Sequence, residues 1–159
     1  MGLSLFLCNG CLLLVLISSL NSVTSSQDTQ QSGKMMGGWT EQNASDPQHM
    51  ERAWKAAMKI NDQAANNGPY HVMPIKVLSA KSQVVAGIKW NFEVLYGETQ
   101  CKKGDVSENE IKSSNADCKL KENPQRAIYK VVLWEKPWED NFEQYSVEKV
   151  RNVEASETF

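Results

Sequence analysis

Histidine and cysteine, the side chains most used for nucleophilic and metal chemistry, are scarce in this chain. There are two histidines and four cysteines in 159 residues. The sequence has no glycine-rich phosphate loop, no zinc-ligand spacing and no serine-nucleophile motif. An enzyme is the function class with the least support. Basic runs are also missing: 17 Lys and Arg face 19 Asp and Glu, for a net charge of −2. That balance excludes a general nucleic-acid binder, which needs a concentrated basic surface. No internal repeat is visible, and the length suits one domain with tails.

Charge is wholly absent from residues 1–27. Within them Cys11 to Ile17 is an unbroken apolar run, followed by small polar residues from Ser18 to Ser26. This pattern reads as a secretory signal peptide over residues 1–25, cleaved between Ser22 and Ser26. The competing reading is a membrane anchor, but Asn9 and Gly10 interrupt the apolar stretch and leave it short for a bilayer. After cleavage the protein is expected to be secreted and free of the membrane. Cys8 and Cys11 leave with the peptide, so their C-x-x-C spacing is neither a redox nor a metal motif. Cys101 and Cys118 remain, and two cysteines in an oxidising compartment have a single pairing. Their bridge would close a polar loop and stabilise by roughly 3 kcal/mol.

Residues 26–45 are polar and read as a flexible N-terminal trunk, with Met35-Met36-Gly37-Gly38-Trp39 as its one unusual patch. Asn43-Ala44-Ser45 is a glycosylation sequon. Asp46-Pro47 supplies a cap and a first-turn proline for a helix. Met50, Ala53, Trp54, Ala57, Met58 and Asn61 follow helical spacing, with Arg52, Lys55 and Lys59 off that stripe. Asn66-Asn67-Gly68-Pro69 ends the helix. Strands are then expected over 70–78, 88–96, 127–134 and 142–150, with a polar loop over 102–117. Strands that follow one helix without alternation imply an α+β domain over 46–159, an antiparallel sheet on one helix.

Two turns in this scheme are oddly apolar. Gln83-Val84-Val85-Ala86-Gly87 falls where a hairpin should reverse, yet turns favour Asn, Asp, Gly and Pro. Trp138, in Glu135-Lys136-Pro137-Trp138-Glu139, falls at a second tip. Taken by itself, Trp138 fits a core tryptophan folded back under its loop. The other reading keeps both tips outside to enter a cleft.

Taken together, Gln83-x-Val85-x-Gly87, Pro137-Trp138 and the earlier Gly37-Gly38 resemble the cystatins, secreted inhibitors of papain-like cysteine proteases. The resemblance runs from Gly37 to the C-terminus and is similar in detail to nematode cystatins. It implies the cystatin fold, in which an antiparallel sheet wraps around one long helix. It implies a monomer without a cofactor, whose trunk and two hairpin loops occlude the protease cleft without being cut. The protease-binding residues it implies are Met36, Gly37, Gly38, Gln83, Val84, Val85, Ala86, Gly87, Pro137 and Trp138, with Met35 beside them. Cys101 and Cys118 match the first disulfide of vertebrate secreted cystatins, and the second pair is missing. Some cystatins also inhibit legumain through a Ser-Asn-Asp-like turn after the helix. Here Asn67 matches that asparagine, while the flanking Ser and Asp are absent. Host immune modulation also accords with the nematode resemblance. A secreted, non-inhibitory binding protein on the same fold is the alternative function.

Overall fold

A computed structural model describes residues 37–63, 66, 68–112 and 117–159. The expected signal peptide, Met35, Met36 and Asn67 lie outside the described residues. In chain order the elements are β1 (Thr40–Gln42), α1 (Pro47–Asp62), β2 (Tyr70–Val85), β3 (Gly87–Lys102), α2 (Glu108–Lys112), β4 (Arg126–Lys136) and β5 (Phe142–Val153). The strands form one antiparallel sheet in the order β1-β2-β3-β4-β5. The α+β architecture read from the sequence is the one observed.

Helix α1 starts where its cap chemistry dictates. The Asp46 carboxylate accepts the Gln48 N–H at 2.9 Å, and Pro47 occupies the first turn, where a missing N–H costs nothing. Its buried face is His49, Ala53, Ala56, Ala57 and Ile60. The expected stripe is therefore rotated: Met50, Trp54 and Met58 are only half-buried, at its flanks. Three alanines let the helix backbone lie close to the sheet, and the larger side chains are displaced to the sides. The Tyr96 hydroxyl donates to the Ala53 carbonyl at 2.8 Å across this close approach. At the other end the Lys103 ammonium donates to the carbonyls of Asn61 and Asn66, both at 2.8 Å, placing a cation where the helix dipole is negative.

The sheet face against α1 is built with period two: Phe92, Val94 and Tyr96 of β3 lie beside Tyr129, Val131 and Leu133 of β4. Register shifts at Tyr70/Val72, Pro74/Lys76 and Val77/Ser79 break the β2–β3 ladder. Such bulges increase local twist and curl a sheet around what it covers.

The loop expected over 102–117 contains α2, nucleated by a capping box. The Glu110 carboxylate accepts the Ser107 N–H at 2.8 Å and the Ser107 hydroxyl at 2.6 Å. Cys101 and Cys118 are joined as a disulfide across this loop.

Candidate functional site

The β2–β3 hairpin resolves the oddity of its valines. Val84 pairs with Ile88 and Val85 with Gly87, so the valines are strand residues and the reversal is confined to Ala86. β-branched side chains suit that role. Val84 is 75% exposed and Val85 41%. Gly87 is buried, with φ +111°, and a Cβ there would sit 2.2 Å from the Glu135 carbonyl oxygen of β4. A glycine at a tip can serve to let another protein approach. In the fold the close neighbour is the chain's own backbone, which is sufficient reason for glycine. Trp134 of β4 adds a bond from the other side, its indole N–H donating to the Ala86 carbonyl at 3.0 Å.

The β4–β5 connection is two turns in series. The Glu139 N–H donates to the Lys136 carbonyl at 3.0 Å, and the Phe142 N–H to the Glu139 carbonyl at 2.8 Å. Pro137 takes the position of the first turn that favours a fixed φ. Asp140 and Asn141, at φ 48° and 54°, supply the left-handed pair that the second turn requires. Trp138 is 68% exposed at the tip. This corrects the core reading of Trp138 taken alone: the aromatic contacts under the turn are made by others. Trp134 and Phe142 meet edge to face at 5.6 Å, and the Lys136 ammonium lies 4.4 Å from the Trp134 ring centre while bonding Glu139 at 2.8 Å.

The end of the trunk is ordered along the sheet. Thr40 pairs with Ser82, and Gln42 with Ala80. Gln42 donates to the Ser82 hydroxyl at 2.8 Å, and Lys81 pairs with Glu41 at 2.8 Å. The span read as flexible, 26–45, thus ends in a strand. One residue beyond the trunk's glycines, Trp39 is 46% exposed. The Gln83 amide donates to the Gly37 carbonyl. Gly37 and Gly38 are exposed, and these two bonds bring the trunk, the first hairpin and β4 to one end of the sheet.

Residues that the sequence does not single out support this end from below. Glu135 accepts from Arg52 of α1 at 3.1 Å and from the Trp90 indole at 2.8 Å. The Arg52 guanidinium lies 4.3 Å from the Trp90 ring centre, and His49 packs 5.2 Å from Trp90 and 5.1 Å from Phe92. Burial holds His49 below its ordinary pKa of 6.5, the Arg52 charge adds to this, and Asp46 opposes it. Arg52 reads from spacing as a solvated charge, and no short motif links positions 52, 90 and 135.

The remaining expected positions lie elsewhere. Asn43 is exposed, and its side-chain oxygen accepts the Ser45 N–H at 3.1 Å. The disulfide belongs to the end of the β2–β3 ladder where Tyr70 pairs with Lys102, remote from Ala86. Among the described residues no cluster of His, Cys, Asp and Glu could hold a metal ion. Also among them, no helix is long and apolar enough to cross a membrane.

Solved structures share this architecture. The crystal structure of Al-CPI superposes with a TM-score of 0.61 at 34% identity, covering 74% of this chain and all (100%) of that one. Dimeric human cystatin F shares the fold alone, with a TM-score of 0.60 at 23% identity over 82% of this chain and 98% of that one. The family description of the cystatin domain matches residues 37–138. Cystatin cpi-1 of Caenorhabditis elegans is 42% identical over 125 residues, 78% of this chain and 85% of the relative. Onchocystatin of Onchocerca volvulus is 40% identical over 106 residues, 67% of this chain and 62% of the relative. The chain belongs to the cystatin family, whose members are protease inhibitors and not enzymes.

Proposed function

We propose that the protein is a secreted, reversible, tight-binding inhibitor of papain-like cysteine proteases of the cathepsin L, S and B type, acting as a monomer. The observation that carries this reading is the exposure of two apolar side chains, Val84 next to the reversal of the first hairpin and Trp138 at the second tip, with the exposed Gly37 tied to the first hairpin through Gln83. Met36, Gly37 and Gly38 would occupy the non-primed side of the cleft, Gln83 to Gly87 its centre, and Pro137 and Trp138 the primed side. Burying a valine such as Val84 contributes roughly 1.5–3 kcal/mol before the costs of association. No peptide bond is presented to the catalytic cysteine, so no acyl intermediate forms and the inhibitor is released intact.

Titrating active papain with the mature chain, residues 26–159, tests the reading. Stoichiometric loss of activity is expected. Full papain activity at equimolar micromolar protein would leave the non-inhibitory binding protein as the function. The same preparation assayed against legumain tests a second site at Asn67. Inhibition of papain without inhibition of legumain removes that site. The proposed site lies at the tips of the sheet, so a glycan at Asn43, set beyond β1, is compatible with inhibition. Modulation of host immunity follows only if host antigen-processing proteases are among the targets.

A further inference from the structure

Gln83 sits in the middle of the proposed contact edge, yet its amide is committed to its own chain. Nε2 donates to the carbonyl of Gly37, 46 positions earlier. Gly37 has φ +86°, and nothing lies within 4 Å of where its Cβ would be. Crowding therefore does not demand glycine there. The backbone conformation that presents the carbonyl to Gln83 does.

The bond also has a particular place along the trunk. Thr40 to Gln42 are held by strand pairing, by the Gln42–Ser82 bond at 2.8 Å and by the Glu41–Lys81 ion pair at 2.8 Å. That zipper stops at the Thr40–Ser82 pair. Beyond it, toward the N-terminus, the Gln83 amide ties Gly37 to the sheet. Its loss would free Gly37 while leaving β1, and Trp39 beside Ser79 and Lys81 of β2, in place.

We infer that Gln83 is a positioning residue for the trunk. Its amide fixes Gly37 against the first hairpin, and that amide acts on a protease through Gly37, whatever contact the rest of Gln83 makes in the cleft. The inference rests on the reading above that trunk and first hairpin enter the same cleft. It separates Gln83 from its neighbours Val84 and Val85, whose exposed side chains are the contact surface.

A double-mutant cycle on the mature chain tests this, using Gln83→Leu, Gly37→Ala and the pair, with papain inhibition as the readout. Each single change is expected to weaken inhibition about three- to tenfold, the worth of one hydrogen bond. The double variant should be no weaker than the poorer single one, because both remove the same latch. Losses that multiply in the double variant, or single variants as strong as the parent, would overturn the inference. A second arm needs no protease. The backbone amide resonances of Gly37 and Gly38 should move toward random-coil positions in Gln83→Leu, while those of Thr40 to Gln42 stay. Unmoved glycine resonances also overturn it. If the parent chain does not inhibit papain, the functional reading fails, and the resonance arm still decides the latch.

Discussion

Gly87 and Trp138 both occupy hairpin tips, but substitutions there should fail for opposite reasons. Gly87→Ala places a methyl against the Glu135 carbonyl at a φ of +111°, where side chains are strained. It should lower stability by about 1–3 kcal/mol and weaken inhibition with it, seen as a parallel fall in melting temperature and affinity. Trp138, at 68% exposure, contributes little to the core. Trp138→Ala should leave the melting temperature within about 2 °C of the parent while weakening papain binding at least tenfold, as loss of an aromatic anchor does. A large melting loss with intact binding would return Trp138 to a structural role. His49 makes a pH-dependent contribution. Burial and Arg52 depress its folded pKa, so below about 6.5 the unfolded chain binds a proton that the folded chain refuses. Its stabilisation is therefore complete above that pH and declines as pH falls. Between pH 7 and 5 the parent should lose more melting temperature than His49→Gln; equal losses would show that His49 does not titrate on unfolding. The glycine motif was legible in the sequence, but its cause was not, because the atom that Gly87 avoids lies 48 positions away, in Glu135.

The elements were legible to the extent that their signals are local. Asp46-Pro47 marks the start of α1, and alternation marks β3 and β4. The helix face was legible in part: Ala53 and Ala57 lie on the expected stripe, whereas the burial of His49, Ala56 and Ile60 depends on the sheet they lie against. Strand β1 escaped because three residues carry no periodicity, and its existence depends on the edge of β2. Helix α2 did carry a signal, Ser107-x-x-Glu110, which reads as a capping box although the surrounding run is polar. Ser107→Ala removes the cap and should cost about 1 kcal/mol locally. Hydrogen exchange at the Ile111 amide should then quicken, with papain inhibition unchanged. Unaltered exchange would mean that α2 is held by the packing of Ile111 and by the disulfide, without help from its cap.

At the scale of the described domain, the sheet separates stabilising hardware from the proposed contact edge. Cys101 and Ala86 sit at opposite ends of a long hairpin, about 50 Å along the strand at about 3.3 Å per residue. Replacing both cysteines by serine should cost about 3 kcal/mol of stability. Inhibition at 25 °C should be unchanged, and a weakened inhibition constant in a chain that remains folded would reveal coupling along the sheet. The other end behaves differently, because the Trp134–Ala86 bond and the Gly87–Glu135 contact make two tips into a single body. An edge already assembled has little left to arrange when it meets a cleft. In the proposed complex its arrival would be limited by diffusion and orientation, and its dwell time by the side chains it buries. Loosening the Trp134 tie slows onset, whereas trimming Val84 or Trp138 shortens residence, so kinetics can distinguish a framing residue from a gripping one where equilibrium affinity alone would merge them.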